Sequence, residues 1–324
     1  MKLFFVWLPL CLFYLTTFRQ WFFIQETLAG FHHYLFIYSA LLCFAMLRQF
    51  WTSPRKLKAF LGVLVVSIPF IRSIFFYLPY YVSRPVQTMQ EGALPTRPVS
   101  FFFANKYLRN DETAWFDELL NAQKPDIVAL AETDSRWVER AKLQQRYPYR
   151  ASVFDQSVWG LELFSKYPFI GQPQTDLGPD VPGFIHATVN VQSADSTNQQ
   201  PLHLVIFHLP PPISAARWEQ ARNMTRRIAT QARHDKDLWI VAGDFNSSPA
   251  GRVSRSFMKA SRLVDAFYGH GFHTTWNQDV WFLQTMIDRA FVSPQINVQR
   301  VQVVPVPGGD HRGLFLQLQL PGMP

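Results

Sequence analysis

The sequence predicts an α/β domain carried behind a membrane anchor, and three observations predict it. The first quarter of the chain is a series of apolar runs with basic residues between them. The remainder alternates short, continuously apolar stretches rich in Val, Ile and Phe with stretches whose apolar residues recur at helical spacing. Several of the apolar stretches end on an acid, an amide or a histidine.

Charge divides the 324 residues unevenly. Through Arg84 there are eight basic residues against one acid, Glu26, which leaves 23 basic and 22 acidic residues from Pro85 onward. The formal charge of +8 therefore belongs to the apolar quarter, and the rest is nearly neutral. A high pI ordinarily points to a nucleic-acid partner, but here the charge sits between apolar runs instead. The only cysteines, Cys11 and Cys43, also lie in apolar segments. They exclude a disulfide framework or a cysteine-based zinc site.

Residues 3–18 carry no charge, and the run can extend past Arg19 to Ile24. A second run covers 31–46 and a third 57–82. A spanning helix needs about 20 apolar residues, so three spans are expected. No small-residue cleavage site follows the first run, which argues against a secretory signal. Arg48, Arg55, Lys56 and Lys58 lie between the second and third runs, while only Arg19 and Glu26 lie between the first and second. The positive-inside rule then puts the N-terminus and the second loop in the cytoplasm, and everything after Val82 outside. Arg72, inside the third run, either faces the bundle or snorkels to an interface. The expected organisation is an anchor over 1–82, a polar, proline-containing tether over 83–98 and a soluble domain over 99–324.

The soluble domain opens with a strand through Phe101, Phe102, Phe103 and Ala104, ending at Asn105. A helix follows, capped by Asn110 or Asp111, with Trp115, Phe116, Leu119 and Leu120 on its apolar face and Pro125 as its stop. Residues 127–131 form a buried-type strand ending at Glu132. Residues 159–164 form another. Residues 184–192 and 202–207 flank a polar loop as a hairpin, the second arm ending at His208. Ser214 caps a long helix to about Arg233. The run from Trp239 to Gly243 ends in Asp244 and Asn246, which alternation points the same way. Taken alone, Gly-Asp-Phe-Asn more often closes an Asx-type turn. Val253, Phe257 and Ala260 mark a helix, 286–292 a strand carrying Asp288, 301–306 another followed by Asp310 and His311, and 314–320 the last.

Each of these eight polar residues has an ordinary explanation as a turn former or a buried histidine. Eight of them on six apolar strands are harder to dismiss. If the strand ends gather on one rim, they make an oxygen-rich pocket with two imidazoles, the inventory for metal-assisted attack of water on a phosphoester.

The order Asn105, Ala131-Glu132-Thr133, His208, Gly243-Asp244-Phe245-Asn246, Ile287-Asp288-Arg289, Asp310-His311 resembles the endonuclease/exonuclease/phosphatase superfamily of DNase I-like enzymes, over nearly all of 99–320. It is similar in particular to a membrane-anchored bacterial branch with three short spans and a turn like His208-Leu209-Pro210-Pro211-Pro212. The resemblance implies a four-layer α/β sandwich. It implies Glu132 as the main ligand of a divalent metal, Mg²⁺ or Mn²⁺, with Asn105 and Asp310 completing the site. It further implies Asp244 as the group that orients or deprotonates water and Asn246 as a phosphate contact. His311 would be base or electrostatic stabiliser with Asp288 fixing its tautomer, and His208 the second imidazole. Carboxylate and carboxamide oxygens suit such a metal better than zinc. Gly309 stands where the family usually has Ser. Arg289 and Arg312 are expected to add positive charge beside the phosphate pocket. Thr275-Trp276 is either a pocket wall or a core tryptophan.

The expected protein is a metal-dependent phosphoesterase in a bacterial inner membrane with its catalytic domain in the periplasm. The lipid bilayer is its partner, and its substrate a lipid-linked or small phosphate. An extracytoplasmic nuclease is the alternative. Duplex DNA is less favoured because its binding normally needs a basic footprint, although Arg222, Arg226 and Arg227 share one helix. A binding-only domain would show a broken site. Three spans without a repeated pair of broken helices do not make a transporter.

Overall fold

The computed structural model describes residues 22–54, 56–82, 97–153, 157–175, 183–191 and 200–322. Helix α1 (Phe22–Ala29) leads into α2 (His32–Thr52) and α3 (Lys56–Tyr81). The catalytic part then runs β1 (Arg97–Asn105), α4 (Ala114–Gln123), β2 (Ile127–Ala131), α5 (Ser135–Arg140), β3 (Tyr149–Val153), β4 (Leu161–Ser165), β5 (Phe184–Asn190) and β6 (Pro201–His208). It continues with α6 (Ala215–His234), β7 (Leu238–Asp244), α7 (Arg252–Ser261), β8 (Val264–Asp265), β9 (Asp288–Val292), β10 (Asn297–Pro305) and β11 (Arg312–Leu320).

The strands form two mixed sheets, ordered β10-β11-β1-β2-β4-β3 and β5-β6-β7-β9-β8. Their continuously apolar sequences follow from burial on both faces. Phe101 and Phe103 of β1, Ala129 of β2 and Leu163 of β4 meet Leu204 and Ile206 of β6, Ile240 and Ala242 of β7 and Ala290 of β9 between the sheets. On the outer face of the first sheet, Phe102, Val128 and Leu130 pack against Trp115 and Phe116 of α4 and Trp137 of α5. On the outer face of the second, Val205, Phe207 and Val241 pack against Trp218, Met224 and Ile228 of α6 and Val253 and Phe257 of α7. Two sheets flanked by helices are the layers of a DNase I-like sandwich.

Local details depart from expectation where side chains find other work. The cap of α4 is Thr113, not Asn110 or Asp111. Asn110 instead accepts from the Glu112 N–H and donates to the Pro307 carbonyl, tying two loops together. Ser214 does cap α6, accepting from the Arg217 N–H at 3.3 Å. Strand β1 starts at Arg97, within the stretch expected to be tether, because Arg97 and Pro98 pair with Leu320 and Gln319.

Of the three apolar runs, the first lies outside the described residues except for its end in α1. Helix α2 and the Gly62–Tyr81 stretch of α3 are long and apolar enough to cross a membrane, by length and composition. They pack on each other and leave Phe44, Trp51, Leu57 and Phe75 at least 70% exposed. Arg72 lies on an exposed face of α3. The base of this pair is seated on the catalytic part, with Tyr77 and Tyr80 buried. The Tyr80 hydroxyl donates to Asp265 Oδ2 at 2.9 Å, and the Pro79 and Tyr80 carbonyls accept from the Gly269 and Gly271 N–H groups.

Candidate active site

Strand direction assembles the site. Strands β1 and β2 are parallel, as are β6 and β7, so their C-terminal ends lie on common rims. Strand β9 is antiparallel to β7 and β11 to β1, so their N-terminal ends reach the same rims. Side-chain alternation decides which residue faces inward. Asn105 continues the inward series 101, 103; His208 continues 204, 206; Asp244 continues 240, 242; Asp288 begins the series 288, 290, 292. The pocket is the inter-sheet core carried one residue further, with apolar side chains replaced by polar ones.

All eight expected residues lie on this rim. Asn105 Nδ2 donates to Glu132 Oε1 at 2.9 Å and Asp244 Oδ2 at 3.2 Å, while its oxygen accepts from the Tyr107 N–H. Glu132 holds a left-handed backbone, φ 53°, and its Oε2 accepts from the Leu108 N–H at 3.1 Å. The buried Lys106 braces that loop by donating to the Tyr107, Leu108 and Asn110 carbonyls. His208 Nδ1 donates to the Val158 carbonyl at 2.9 Å, which turns Nε2 towards Asp244 Oδ2 at 3.5 Å and Glu132 Oε1 at 4.0 Å. Asn246 reaches the site by another route than strand alternation. Strand β7 ends at Asp244, and the Asn246 N–H donates to Asp244 Oδ1 at 2.8 Å in an Asx turn with φ 45° at Asn246. The turn swings Asn246 Nδ2 to the Leu209 carbonyl at 2.8 Å and to within 3.3 Å of His208 Nε2.

The second imidazole is held by carboxylates. His311 Nδ1 donates to Asp288 Oδ2 at 2.8 Å, and its Nε2 lies 3.7 Å from Asp244 Oδ2 and 4.0 Å from Asp310 Oδ1. Burial works against the imidazolium, but the charges of Asp288 and Asp244 outweigh it, and the pKa is pushed up to about 10. Burial, and then the charge of Asp288, pushes the Asp244 carboxyl up to about 6. Asp288 is positioned in turn by Thr275 Oγ1, which accepts from the Ile287 and Asp288 N–H groups.

Trp276 is the pocket wall, not a core residue. It is half-buried, its Nε1 donates to Asp310 Oδ2 at 3.0 Å, and its backbone bridges to His311 and Thr285. Arg289 contradicts expectation. It has the opposite parity to Asp288, is buried on the far face of β9, and pairs with Asp265 over the Phe291 ring. Arg312 is likewise engaged elsewhere, donating to Thr274.

Sequence reading missed Glu26. This acid of α1 is buried against the segment after the site, where it accepts from Ser247 Oγ, from the Arg252 N–H at 2.9 Å and from Trp218 Nε1 at 3.3 Å. It caps α7, a position that favours negative charge, while burial raises its pKa. A lone acid in an apolar stretch was the available signal, since such a group must find partners.

The donor set fits a hard divalent cation. Asp244, Asp288 and His311 offer ligand atoms within 4.8 Å of one another, Asp310 Oδ1 lies 4.0 Å from His311 Nε2, and Asn105 links Glu132 to Asp244. Asp288 Oδ1 is buried with no hydrogen-bond partner, so the pocket holds more carboxylate oxygen than its own donors serve. Oxygen-rich sites of this kind suit Mg²⁺ or Mn²⁺.

Fold and site together define a hydrolase of phosphate esters. The Endonuclease/Exonuclease/phosphatase family model matches residues 100–311, and the chain belongs to that family. No curated protein matches the chain. Solved structures share the fold at low identity. Danio rerio TDP2 complexed with a single-strand DNA product has a TM-score of 0.56 and 16% identity, covering 68% of this chain and 98% of that one. The human Nocturnin catalytic domain with bound sulfate has 0.54 and 18%, covering 70% and 95%. The 3′ phosphatase NExo from Neisseria, bound to a product DNA hairpin, has 0.54 and 18%, covering 67% and 98%.

Proposed function

We propose that this protein is a membrane-anchored, divalent-metal-dependent phosphoesterase that hydrolyses a phosphoester or phosphoanhydride of a lipid-linked or small phosphate substrate from the periplasmic side of a bacterial inner membrane. The observation that carries the anchored reading is the helical pair. Its apolar side chains face outward where no protein covers them, yet its base is hydrogen-bonded into the catalytic part. Basic residues Arg48, Lys56 and Lys58 fall near the tip far from that base, which matches a cytoplasmic loop with the catalytic part opposite. Helix α1 lies on the catalytic side, leaving the first apolar run available as a third span.

The chemistry follows from the positions on the rim. Glu132, with Asn105 and Asp310 near it, would hold the cation, Mg²⁺ or Mn²⁺, which supplies Lewis-acid stabilisation of phosphate charge. Asp244, raised towards neutrality, takes the proton of the attacking water. His311, its Nδ1–H held by Asp288, turns Nε2 towards the reacting phosphate and stabilises the charge of the phosphorane. Asn246 contacts a phosphate oxygen, and His208, acting as an imidazolium whose Nδ1–H stays on the Val158 carbonyl, delivers its Nε2 proton to the leaving oxygen and becomes neutral.

An extracytoplasmic nuclease is the second reading, favoured by the DNA products bound in TDP2 and NExo. Against it, Arg222 on α6 is paired with Glu219 and stacked on Trp218, so the expected basic stripe is partly neutralised. The test is Mg²⁺-dependent phosphate release by full-length protein on polyprenyl pyrophosphate, phospholipids, a phosphoinositide head group and DNA, beside Glu132→Gln and Asp244→Asn. Lipid turnover lost in both variants supports the proposal. Turnover of DNA alone replaces it with the nuclease, and silence on every substrate, with metal binding unchanged in Glu132→Gln, returns the binding-only domain.

A further inference from the structure

The segment between Trp276 and Asp288 is an apolar projection growing out of the active site. Its base is closed by Trp276 and Thr285, whose backbones exchange hydrogen bonds of 2.9 and 3.2 Å. One end of that base is the wall that holds Asp310, and the other runs three residues on to the partner of His311. The tip is a 3-10 turn, Trp281–Leu283. There Trp281 is 77% exposed, Phe282 54% and Leu283 37%, with the two rings edge to face at 5.6 Å. Scattered apolar residues on a surface need no explanation, but three consecutive large ones mark an interaction site.

The neighbours of this turn point to what covers it. Tyr34, in the first turns of α2, donates its hydroxyl to the Trp281 carbonyl at 2.8 Å. Four residues earlier, the Gly30 carbonyl accepts from Thr285 Oγ1 at 2.8 Å. His32 beside it is buried against Tyr77 of α3. The turn therefore lies level with the point where the helical pair leaves the catalytic part. From residue 35 to Thr52 the remainder of α2 projects about 26 Å at 1.5 Å per residue, near the roughly 30 Å of a bilayer core. Two separate parts of the chain thus present apolar surface at one level. Tryptophan and phenylalanine there match the composition of a membrane interface. Residues 277–288 include no basic side chain, so attraction to anionic lipid is not what holds the turn.

We infer that the Trp281–Leu283 turn inserts into the outer leaflet beside the anchor and sets the active-site mouth in the head-group layer, so that the site takes a phosphate carried by a lipid of the same bilayer. This rests on the anchored phosphoesterase reading and adds to it the element that presents the substrate. A cavity of about 720 Å³ lined by Tyr107, Asp279, Asp310 and the 307–309 loop opens two residues from the turn, large enough for a lipid head group.

The test uses the full chain in nanodiscs of dibrominated phosphatidylcholine. Bromine quenches tryptophan within the bilayer, and the difference between wild type and Trp281→Phe isolates Trp281 from the other tryptophans. Trp281 is expected to be quenched, with no change on raising salt. Turnover is read on phosphatidic acid and phosphatidylglycerol, each as the soluble dibutyryl form and as the dioleoyl form in the disc. The triple variant Trp281→Ser, Phe282→Ser, Leu283→Ser is expected to keep soluble turnover within about twofold and lose about tenfold or more on the bilayer form. An unquenched Trp281 overturns the inference. So does equal loss on soluble and bilayer substrates, which would make the turn a structural part of the site. Quenching without turnover of either lipid sinks the substrate half and returns the question to the wider panel, where the phosphoesterase reading stands or falls separately.

Discussion

Replacing Gly243 with alanine tests whether the rim depends on the close approach of β6 and β7. Gly243 faces Phe207 in their parallel register, and the next pair is His208 with Asp244. A Cβ on Gly243 would run into the Phe207 carbonyl oxygen and lie 3.1 Å from both its carbonyl carbon and its ring Cδ2. The obstruction is backbone, which cannot swing aside as a side chain can. The strands must part by roughly 1 Å, at a cost of about 1–3 kcal/mol for an overpacked core. In a domain of this size that lowers the melting temperature by about 2–4 °C per kcal/mol. The same movement widens the 3.5 Å approach of His208 Nε2 to Asp244 Oδ2. A misplacement of about 1 Å at reacting groups costs about 100-fold in rate. The assay is metal-dependent phosphate release and thermal unfolding of the full-length protein in parallel. Gly309→Ser serves as control, because its nearest obstacle is a Val306 methyl at 3.1 Å that can give by a few tenths of an ångström. Turnover of Gly243→Ala within about threefold of wild type, with a melting temperature unmoved by more than about 1 °C, would refute the reasoning.

Asp288→Asn removes the charge that holds the His311 Nδ1–H, and kcat is expected to fall about 10³-fold or more with KM little changed; steady-state kinetics showing the loss mainly in KM would assign Asp288 to binding instead. Glu26→Ala leaves the Ser247 hydroxyl, the Trp218 indole N–H and the first N–H groups of α7 without their acceptor. It is expected to cost about 2–4 kcal/mol, read in chemical denaturation, with Glu26→Gln closer to wild type. His186 on β5 has its pKa lowered to about 4 by burial and by the neighbouring His203. Because the folded value lies below the unfolded 6.5, the stability it confers is full above that pH and is lost as pH falls towards the folded value. The shift corresponds to at most about 3 kcal/mol, and roughly half of that after allowing for its partial exposure. Melting temperature followed from pH 7.5 down to about 4.5 should show an acid limb that His186→Gln flattens.

The site was legible because it obeys strand parity. Asn105, His208, Asp244 and Asp288 each occupy the next inward position of an apolar alternation, so one chain read by itself marks them as unusual. The same rule, applied across Asp288-Arg289, turns Arg289 away from the pocket towards Asp265. Charge proximity in sequence had suggested otherwise. Asn246 reaches His208 by a different route from the one alternation suggested, through an Asx turn at the end of β7. Strand β3, half-exposed at a sheet edge with Arg150 and Ser152 along it, carries too weak an apolar pattern to stand out. Glu26 was counted as charge and not recognised as a cap, because its partners lie more than 190 residues away.

Local chemistry is written in neighbouring residues. Backbone propensity, alternation and the identity of each strand-terminal side chain are properties of a few positions at a time, so the sequence alone determined the alternating elements, the apolar N-terminal helices and the inventory of acids, amides and imidazoles. Which ends meet is a property of pairings between distant segments. The placement of β1 between β2 and β11, the reversal of β9 against β7, and the seating of α1 on α7 were decided only in the tertiary structure. They depend on the burial of whole sheet faces against each other, and no short stretch of chain contains that information.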